Sequence, residues 1–149
     1  MRRHIQLRQS FETCRFDTRS WAIELPIIGS DVAILICEIT LLLFGRAKQL
    51  SLLFVDEKKL LLTVSNGSSI VDGSNSGPSS LSLSRNDLEF VLCYLLTWYR
   101  DGTAEVNHID VELIGSESIG PDCTLIVKAE QSQPPMPGAE VERMLREMT

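Results

Sequence analysis

The sequence contains few residues of the kinds that bind metals or carry out catalysis. It has two histidines, His4 and His108, and four cysteines, none of which lies in a C-x-x-C pair. A G-x-x-x-x-G-K-S/T phosphate-binding loop and an H-E-x-x-H zinc motif are both missing, and the glycine-flanked segment 73–77 has Asn75 where a nucleophile elbow needs serine. We therefore expect no catalytic residue, no bound cofactor and no metal site.

The sequence also lacks a hydrophobic run long enough to cross a membrane. Its most hydrophobic run, residues 32–44, contains Glu38 and Thr40, whereas a spanning helix needs about 20 apolar residues. The first residues are basic but do not contain the apolar stretch of a secretion signal. Cysteines outside paired motifs are typical of a reducing compartment, although their even number permits two disulfides. We expect a soluble, cytoplasmic protein with no membrane partner.

Positively charged residues are outnumbered by negatively charged ones. Fourteen Lys and Arg residues stand against 20 Asp and Glu residues, which gives a net charge of −6. After residue 19 no segment concentrates Lys and Arg. Because an acidic surface repels phosphate, nucleic acid is not expected as a partner, and a basic protein is the better candidate.

Length and composition indicate one folded domain. A chain of 149 residues with 44% hydrophobic residues is long enough and apolar enough to bury a core. Residues 1–130 are predicted to form a single domain, and the proline-rich residues 131–149 a linker and a short C-terminal helix. Residues 65–80, rich in serine and glycine, are predicted to form a mobile surface loop.

The predicted domain is α+β, with a mainly antiparallel sheet and one long amphipathic helix packed on one face. The helix is expected from Ser84, a good N-cap residue, to Arg100, because Leu88, Val91 and Leu95 recur at helical spacing and Gly102 follows. A strand hairpin is expected at residues 50–64, since apolar segments flank the polar turn 56–59.

Residues 32–44 are compatible with a strand or with a helix. Their isoleucine and valine residues favour a long central strand. A helix made from the same residues would be apolar almost all round, with Glu38 and Thr40 as the marks of a wet side. Apolar side chains on both faces of such a strand also predict a homo-oligomer, since one helix could not cover them all. Glu38 is expected to pair with a base or to reach solvent.

Polar and apolar side chains alternate clearly along residues 106–114. His108, Asp110 and Glu112 are predicted to share one strand face, opposite the apolar Ile109 and Val111. Residues two apart on a strand lie about 6.6 Å from each other and do not converge on one point, so a metal or catalytic site is not favoured. We predict that this acidic face binds a protein partner. A small enzyme, with its site near His108 or in the 65–80 loop, stays open as an alternative.

Part of the chain resembles a known kind of binding protein. The segment 81–130 contains S-L-S-R-N-D-L, an amphipathic helix, V-N-H-I-D-V-E-L and, after a loop, C-T-L-I-V-K-A. This order resembles modules in small immunity proteins of bacterial polymorphic toxin systems. The resemblance implies a non-catalytic protein that binds and blocks a toxin, a role that suits net acidity if the toxin is basic. A homo-oligomeric structural subunit is a further alternative.

Overall fold

The computed structural model describes residues 2–16, 20–74, 76–116, 120–130, 143 and 145–147. Neither of the two helices in the described part of the chain is long and apolar enough to cross a membrane. The elements follow in this order: β1 (Arg2–Gln6), β2 (Glu12–Arg15), β3 (Ser20–Ile28), α1 (Gly29–Leu43), β4 (Gln49–Leu53), β5 (Lys59–Ser65), β6 (Ile70–Ser74), β7 (Gly77–Ser84), α2 (Arg85–Asp101), β8 (His108–Gly115) and β9 (Asp122–Glu130).

All nine described strands form one mixed sheet, in the order β1-β4-β5-β7-β6-β8-β9-β3-β2. Neighbouring pairs alternate between parallel and antiparallel from one edge to the other. The prediction of a mainly antiparallel sheet was therefore wrong. The antiparallel pairs are consecutive strands, which sequence patterns reveal. The parallel pairs join strands that are separated along the chain, and local patterns do not reveal them.

The sheet is strongly curved, because its two edge strands are joined by a short connection. Strands β1 and β2 lie at opposite edges, yet only residues 7–11 separate them. Nine flat strands would extend over about 38 Å from first to last, at about 4.8 Å per neighbour. The connection reaches at most about 21 Å. The sheet must therefore curl until its edges approach each other.

Both helices pack against the same core, side by side and antiparallel. The Arg85 guanidinium at the start of α2 donates a hydrogen bond to the Leu43 carbonyl at the end of α1 (2.9 Å), and Gly29 at the start of α1 lies beside the Trp98 ring. Apolar side chains of both helices meet those of β3, β4, β5, β7 and β9 in one cluster. The prediction of a single long helix on the sheet was wrong, because α1 forms the second half of the helical layer.

Helix α1 overturns the preference for a strand at residues 32–44. Its buried apolar residues recur at helical spacing: Val32, Leu35, Ile39, Leu42 and Leu43. Its two charged residues, Asp31 and Glu38, are also buried. In an ordinary helix, charged side chains mark the side that faces solvent. Here they point inward, so the sequence does not show the usual separation of an apolar side from a charged side.

Helix α2 begins and ends where its sequence predicts. The Ser84 hydroxyl accepts a hydrogen bond from the Asp87 backbone N–H (3.1 Å), and Gly102 ends the helix in the left-handed conformation with φ 75°.

The predicted hairpin at residues 50–64 is confirmed as β4 and β5, which pair antiparallel.

Residues 65–80 form strands for most of their length, so the prediction of a loop was wrong. Strands β6 and β7 make an antiparallel hairpin in the middle of the sheet. Leu81 and Leu83 of β7 are buried, whereas the serines beside them lie on the other face. The predicted linker at residues 131–142 lies outside the described residues, and of the predicted C-terminal helix residues 143 and 145–147 are described and helical.

Candidate protein-binding face

Strand β8 places the three predicted site residues on one exposed face. His108, Asp110 and Glu112 are exposed, while Ile109 and Val111 between them are buried. The Nε2 atom of His108 lies 3.7 Å from Oδ1 of Asp110, and both side chains are 54% exposed. The predicted orientation of this strand is confirmed, and these three side chains lie on the opposite side of the strand from the core.

The sheet register extends this face across three further strands. Asp110 of β8 lies opposite Ile126 of β9, Ile126 lies opposite Glu24 of β3, and Glu24 lies opposite Glu12 of β2. Three carboxylates thus share one row across the sheet, with one isoleucine between them. Directly opposed acids on neighbouring strands repel each other, so Glu12 and Glu24 do not stabilise the sheet as a pair.

Carboxylates outnumber bases on this part of the sheet. We define the acidic face by its five carboxylates: Glu12, Glu24, Asp110, Glu112 and Glu130. Lys128 lies among them, opposite His108, and its ammonium group is 3.9 Å from the Glu130 carboxylate. His108 adds charge only when it is protonated. The acidic face therefore concentrates a large share of the net negative charge of the chain on one side of the sheet.

A polar groove borders the acidic face where β2 ends. Strand β2 pairs with β3 as far as Glu24 and leaves Pro26 and Ile28 with β9 as their neighbour. Pro26 lies near the end of β3, which is an internal strand of the sheet. The gap forms a groove with the following lining: Gln9, Ser10, Glu12, Glu24, Pro26, Lys128 and Glu130.

The wall of this groove is held by contacts with the turn between β4 and β5. The Ser10 hydroxyl donates a hydrogen bond to the Asp56 carboxylate (2.6 Å), which lowers the pKa of Asp56 below its ordinary value. Lys58 lies over the Phe11 ring at 5.0 Å, and the rings of Phe11 and Phe54 meet edge to face. These contacts fix Ser10 and Phe11 against the turn between β4 and β5.

Glu38, the acid within the apolar run, is paired with a base. Its carboxylate accepts two hydrogen bonds from the Arg3 guanidinium, at 2.5 and 2.8 Å, and only 5% of its side chain is exposed. The pairing raises the pKa of Arg3 through the hydrogen bond and the charge of Glu38. Pairing with a base was one of the two predicted explanations, and the geometry is that of a structural bidentate ion pair.

The second region suspected of chemistry, residues 65–80, contains a structural hydrogen-bond network. The buried Ser69 hydroxyl donates to the Asp87 carboxylate and accepts from the Ser84 backbone N–H (2.8 Å). These bonds hold the beginning of α2 against the hairpin. The cavity between helices and sheet is lined by leucine, isoleucine and valine side chains, so it presents no polar group to a substrate.

In the part of the chain that the structure describes, no three His, Cys, Asp or Glu side chains are grouped so as to hold a metal ion. No family model, no curated protein and no solved structure matches the chain.

Sequence reasoning missed Glu12 and Glu24 as members of the acidic face. Glu24 alternates with the buried Ile23 and Leu25, so its outward position was visible, but its place beside β8 depends on the pairing of β3 with β9.

Proposed function

We propose that this chain is a non-catalytic protein-binding domain that binds a basic protein through its acidic face. The observation that carries the proposal is the register that places Asp110, Glu24 and Glu12 in one row. Acids that a strand merely exposes to solvent have no need to align across four strands. A row of like charges costs stability, and a basic partner would recover that cost on binding.

The composition of the face suits rapid association. Its carboxylates are exposed or half-buried, so they attract an approaching basic surface while still solvated. Such attraction mainly raises the association rate, and salt weakens it over a Debye length of about 10 Å at 0.1 M. Ile126 and Pro26 lie among the acids and offer apolar contact at close range, and the groove beside them would accept a long basic side chain.

The narrower form of the proposal is an immunity-like inhibitor that binds and blocks a bacterial toxin. The segment that resembles immunity-protein modules, residues 81–130, contains β8 and β9 and hence Asp110, Glu112 and Glu130 of the acidic face. We place the protein in the cytoplasm. All four cysteines are free, and Cys14, Cys37 and Cys93 are exposed, which suits a reducing compartment.

The first test removes charge from the row. The triple variant Glu12→Gln, Glu24→Gln, Asp110→Asn should lose the proteins that the parent captures from a lysate of the source cell. Binding of one captured and purified protein should then be measured at two salt concentrations. For the parent, the association rate should fall at high salt, and for the variant it should be low at both concentrations.

A matched control removes three carboxylates elsewhere. Glu89→Gln, Asp101→Asn, Glu105→Gln changes the net charge by the same amount at exposed positions in α2 and just after it, away from the acidic face. The control should capture the partner as fast as the parent does. If both triple variants slow association equally, net charge alone acts and the acidic face is ordinary solvated surface.

The inhibitor proposal needs a growth assay. The captured protein, expressed alone in a heterologous bacterium, should arrest growth, and co-expression with the parent chain should restore it. The row variant should fail to restore growth, and the control variant should succeed. A captured protein that is harmless when expressed alone would refute the inhibitor proposal and leave the binding proposal standing.

A further inference from the structure

We infer that two copies of this chain associate through the outer side of α1. The helix exposes a stripe of apolar side chains to solvent, which we call the α1 face: Ile34, Cys37, Leu41 and Phe44. Phe44 is 72% exposed and Ile34 is 43% exposed, Cys37 is exposed, and Leu41 is half-buried. In an isolated chain this stripe would lie against water along the whole helix.

The α1 face carries no charge. The charged residues of α1 are Asp31 and Glu38, and both are buried. Glu38 binds the Arg3 guanidinium, and Asp31 accepts a hydrogen bond from the backbone N–H of Arg8. The neighbouring helix differs: α2 exposes Arg85 and Glu89 as an i, i+4 ion pair, and Arg100 and Asp101 near its end.

The spacing of the α1 face is that of a helix-pairing seam. Positions 34, 37, 41 and 44 are separated by three, four and three residues, the a/d pattern by which two helices pack side by side. Extending the pattern one step back reaches Ser30, which is also exposed. A helix surface that only faces solvent is normally polar or charged, so an apolar a/d spacing on it is not needed for solubility.

Charge decides between a second copy and a different partner. Two chains of net charge −6 repel each other wherever their carboxylates meet, and a face without charge is where they approach at least cost. Homodimer interfaces are also more apolar than other protein interfaces. A basic partner would find no opposite charge on the α1 face, whereas the acidic face would attract it.

Two-fold symmetry then fixes the geometry. In a symmetric dimer the same patch is used on both subunits, so a residue at the two-fold axis lies next to its own copy. The centre of the seam 30–44 is residue 37, and the axis therefore passes close to Cys37. Cys37 of one copy lies next to Cys37 of the other, while Cys14 on β2 and Cys93 on α2 lie away from the axis.

Cysteine cross-linking tests this geometry in the full chain. In the variant Cys14→Ser, Cys93→Ser, oxidation with copper phenanthroline should join two copies through Cys37. The reaction should be at least about tenfold faster than in variants that keep only Cys14 or only Cys93 beside the buried Cys123, because proximity raises the effective thiol concentration from micromolar to about millimolar. Equal rates in the three variants would overturn the proposed axis.

Light scattering provides a second measurement that does not depend on thiol chemistry. The parent should have twice the mass of the 16.7 kDa chain, and Ile34→Asp, Phe44→Asp should have that of one chain. The matched control Val55→Asp changes an exposed apolar residue in the turn after β4 and should stay dimeric. A parent of single-chain mass, or a seam variant that stays dimeric with an unchanged circular dichroism spectrum, would overturn the inference.

Discussion

Two units with the same order of elements make up most of the described chain. The first contains the β2–β3 hairpin, α1 and the β4–β5 hairpin, and the second contains the β6–β7 hairpin, α2 and the β8–β9 hairpin. In the second unit the two hairpins pair with each other through β6 and β8, whereas the two hairpins of the first unit do not pair with each other. The second hairpin of each unit pairs in parallel with the first hairpin of the other, through β5–β7 and through β9–β3.

The two units hold their helices by different means. In the second unit, α2 has a serine N-cap, a glycine C-cap and an i, i+4 ion pair, and each of these interactions joins residues three or four positions apart. In the first unit, the N-cap residue of α1 is Ile28, which provides no side-chain cap, and the two acids of the helix bind residues of the N-terminal segment. One helix is therefore stabilised locally, and the other depends on a strand from outside its own unit.

The largest effect is expected where α1 depends on β1. Arg3→Met leaves the Glu38 carboxylate buried without its partner, and we expect a loss of about 2 kcal/mol in the free energy of unfolding, measured with urea. Adding Glu38→Met should recover much of this loss, because no unpaired charge is then buried. If Arg3→Met lowered the free energy of unfolding no more than Arg46→Met at an exposed position, α1 would not depend on β1 in the way described.

A second test concerns the buried cysteine of the second unit. Burial, the largest cause, raises the pKa of Cys123 from its ordinary value of 9.0 to about 12. Above pH 9.0 the unfolded chain releases this proton while the native chain keeps it, so the thiol stabilises the fold below pH 9.0 and its contribution falls as pH rises. The slope is about 1.4 kcal/mol per pH unit.

The measurement is the urea midpoint of the parent and of Cys123→Ala between pH 8 and pH 11. Other groups that titrate there, such as Tyr94, whose pKa burial also raises, contribute equally to both proteins. The parent should lose stability more steeply. Parallel curves would show that this thiol ionises alike in the native and unfolded chains.

Loss of the α2 cap should have a smaller effect. Ser84→Ala removes the hydroxyl that accepts the Asp87 N–H, and we expect a cost of about 1 kcal/mol in unfolding free energy. Ser79→Ala, at an exposed serine of the same strand, is the control and should change stability by less than about 0.5 kcal/mol. A cap variant as stable as this control would show that tertiary packing, and not the local cap, holds α2.

The smallest effect is expected on the outer side of α2. Glu89→Gln removes the exposed pair with Arg85, whose closest atoms are 3.4 Å apart, and should cost about 0.3–0.5 kcal/mol at low salt. Added salt should abolish the difference between variant and parent. A cost that persists in 1 M salt would point to packing by the Glu89 stem instead of charge.

The same contrast explains how far the sequence could be interpreted. The ends of α2 and the alternation of β8 were predicted because the determining residues are neighbours in the chain. Helix α1 was mistaken for a strand because the partner of Glu38 is 35 residues away. The β6–β7 hairpin was missed because its serines have the composition of a loop. In the sheet, Thr63 and Ser82 on adjacent strands join their hydroxyls at 2.6 Å.

The candidate site was predicted in part for the same reason. His108, Asp110 and Glu112 follow from a local alternation and lie where expected. Glu12 and Glu24 join them only through the parallel pairing of β3 with β9, between residues about a hundred positions apart. Patterns of two or four residues carry no information about such a pairing.

The pairing of β3 with β9 has a consequence for synthesis on the ribosome. Strand β3 is translated about a hundred residues before β9, its neighbour in the sheet. At about 5–20 residues per second, β3 waits roughly 5–20 s for its neighbour. During that time its inward side chains, Trp21, Ile23, Leu25 and Ile27, have no completed sheet to cover them. The nascent chain therefore exposes an apolar strand, the kind of segment that chaperones bind, until translation has passed residue 130.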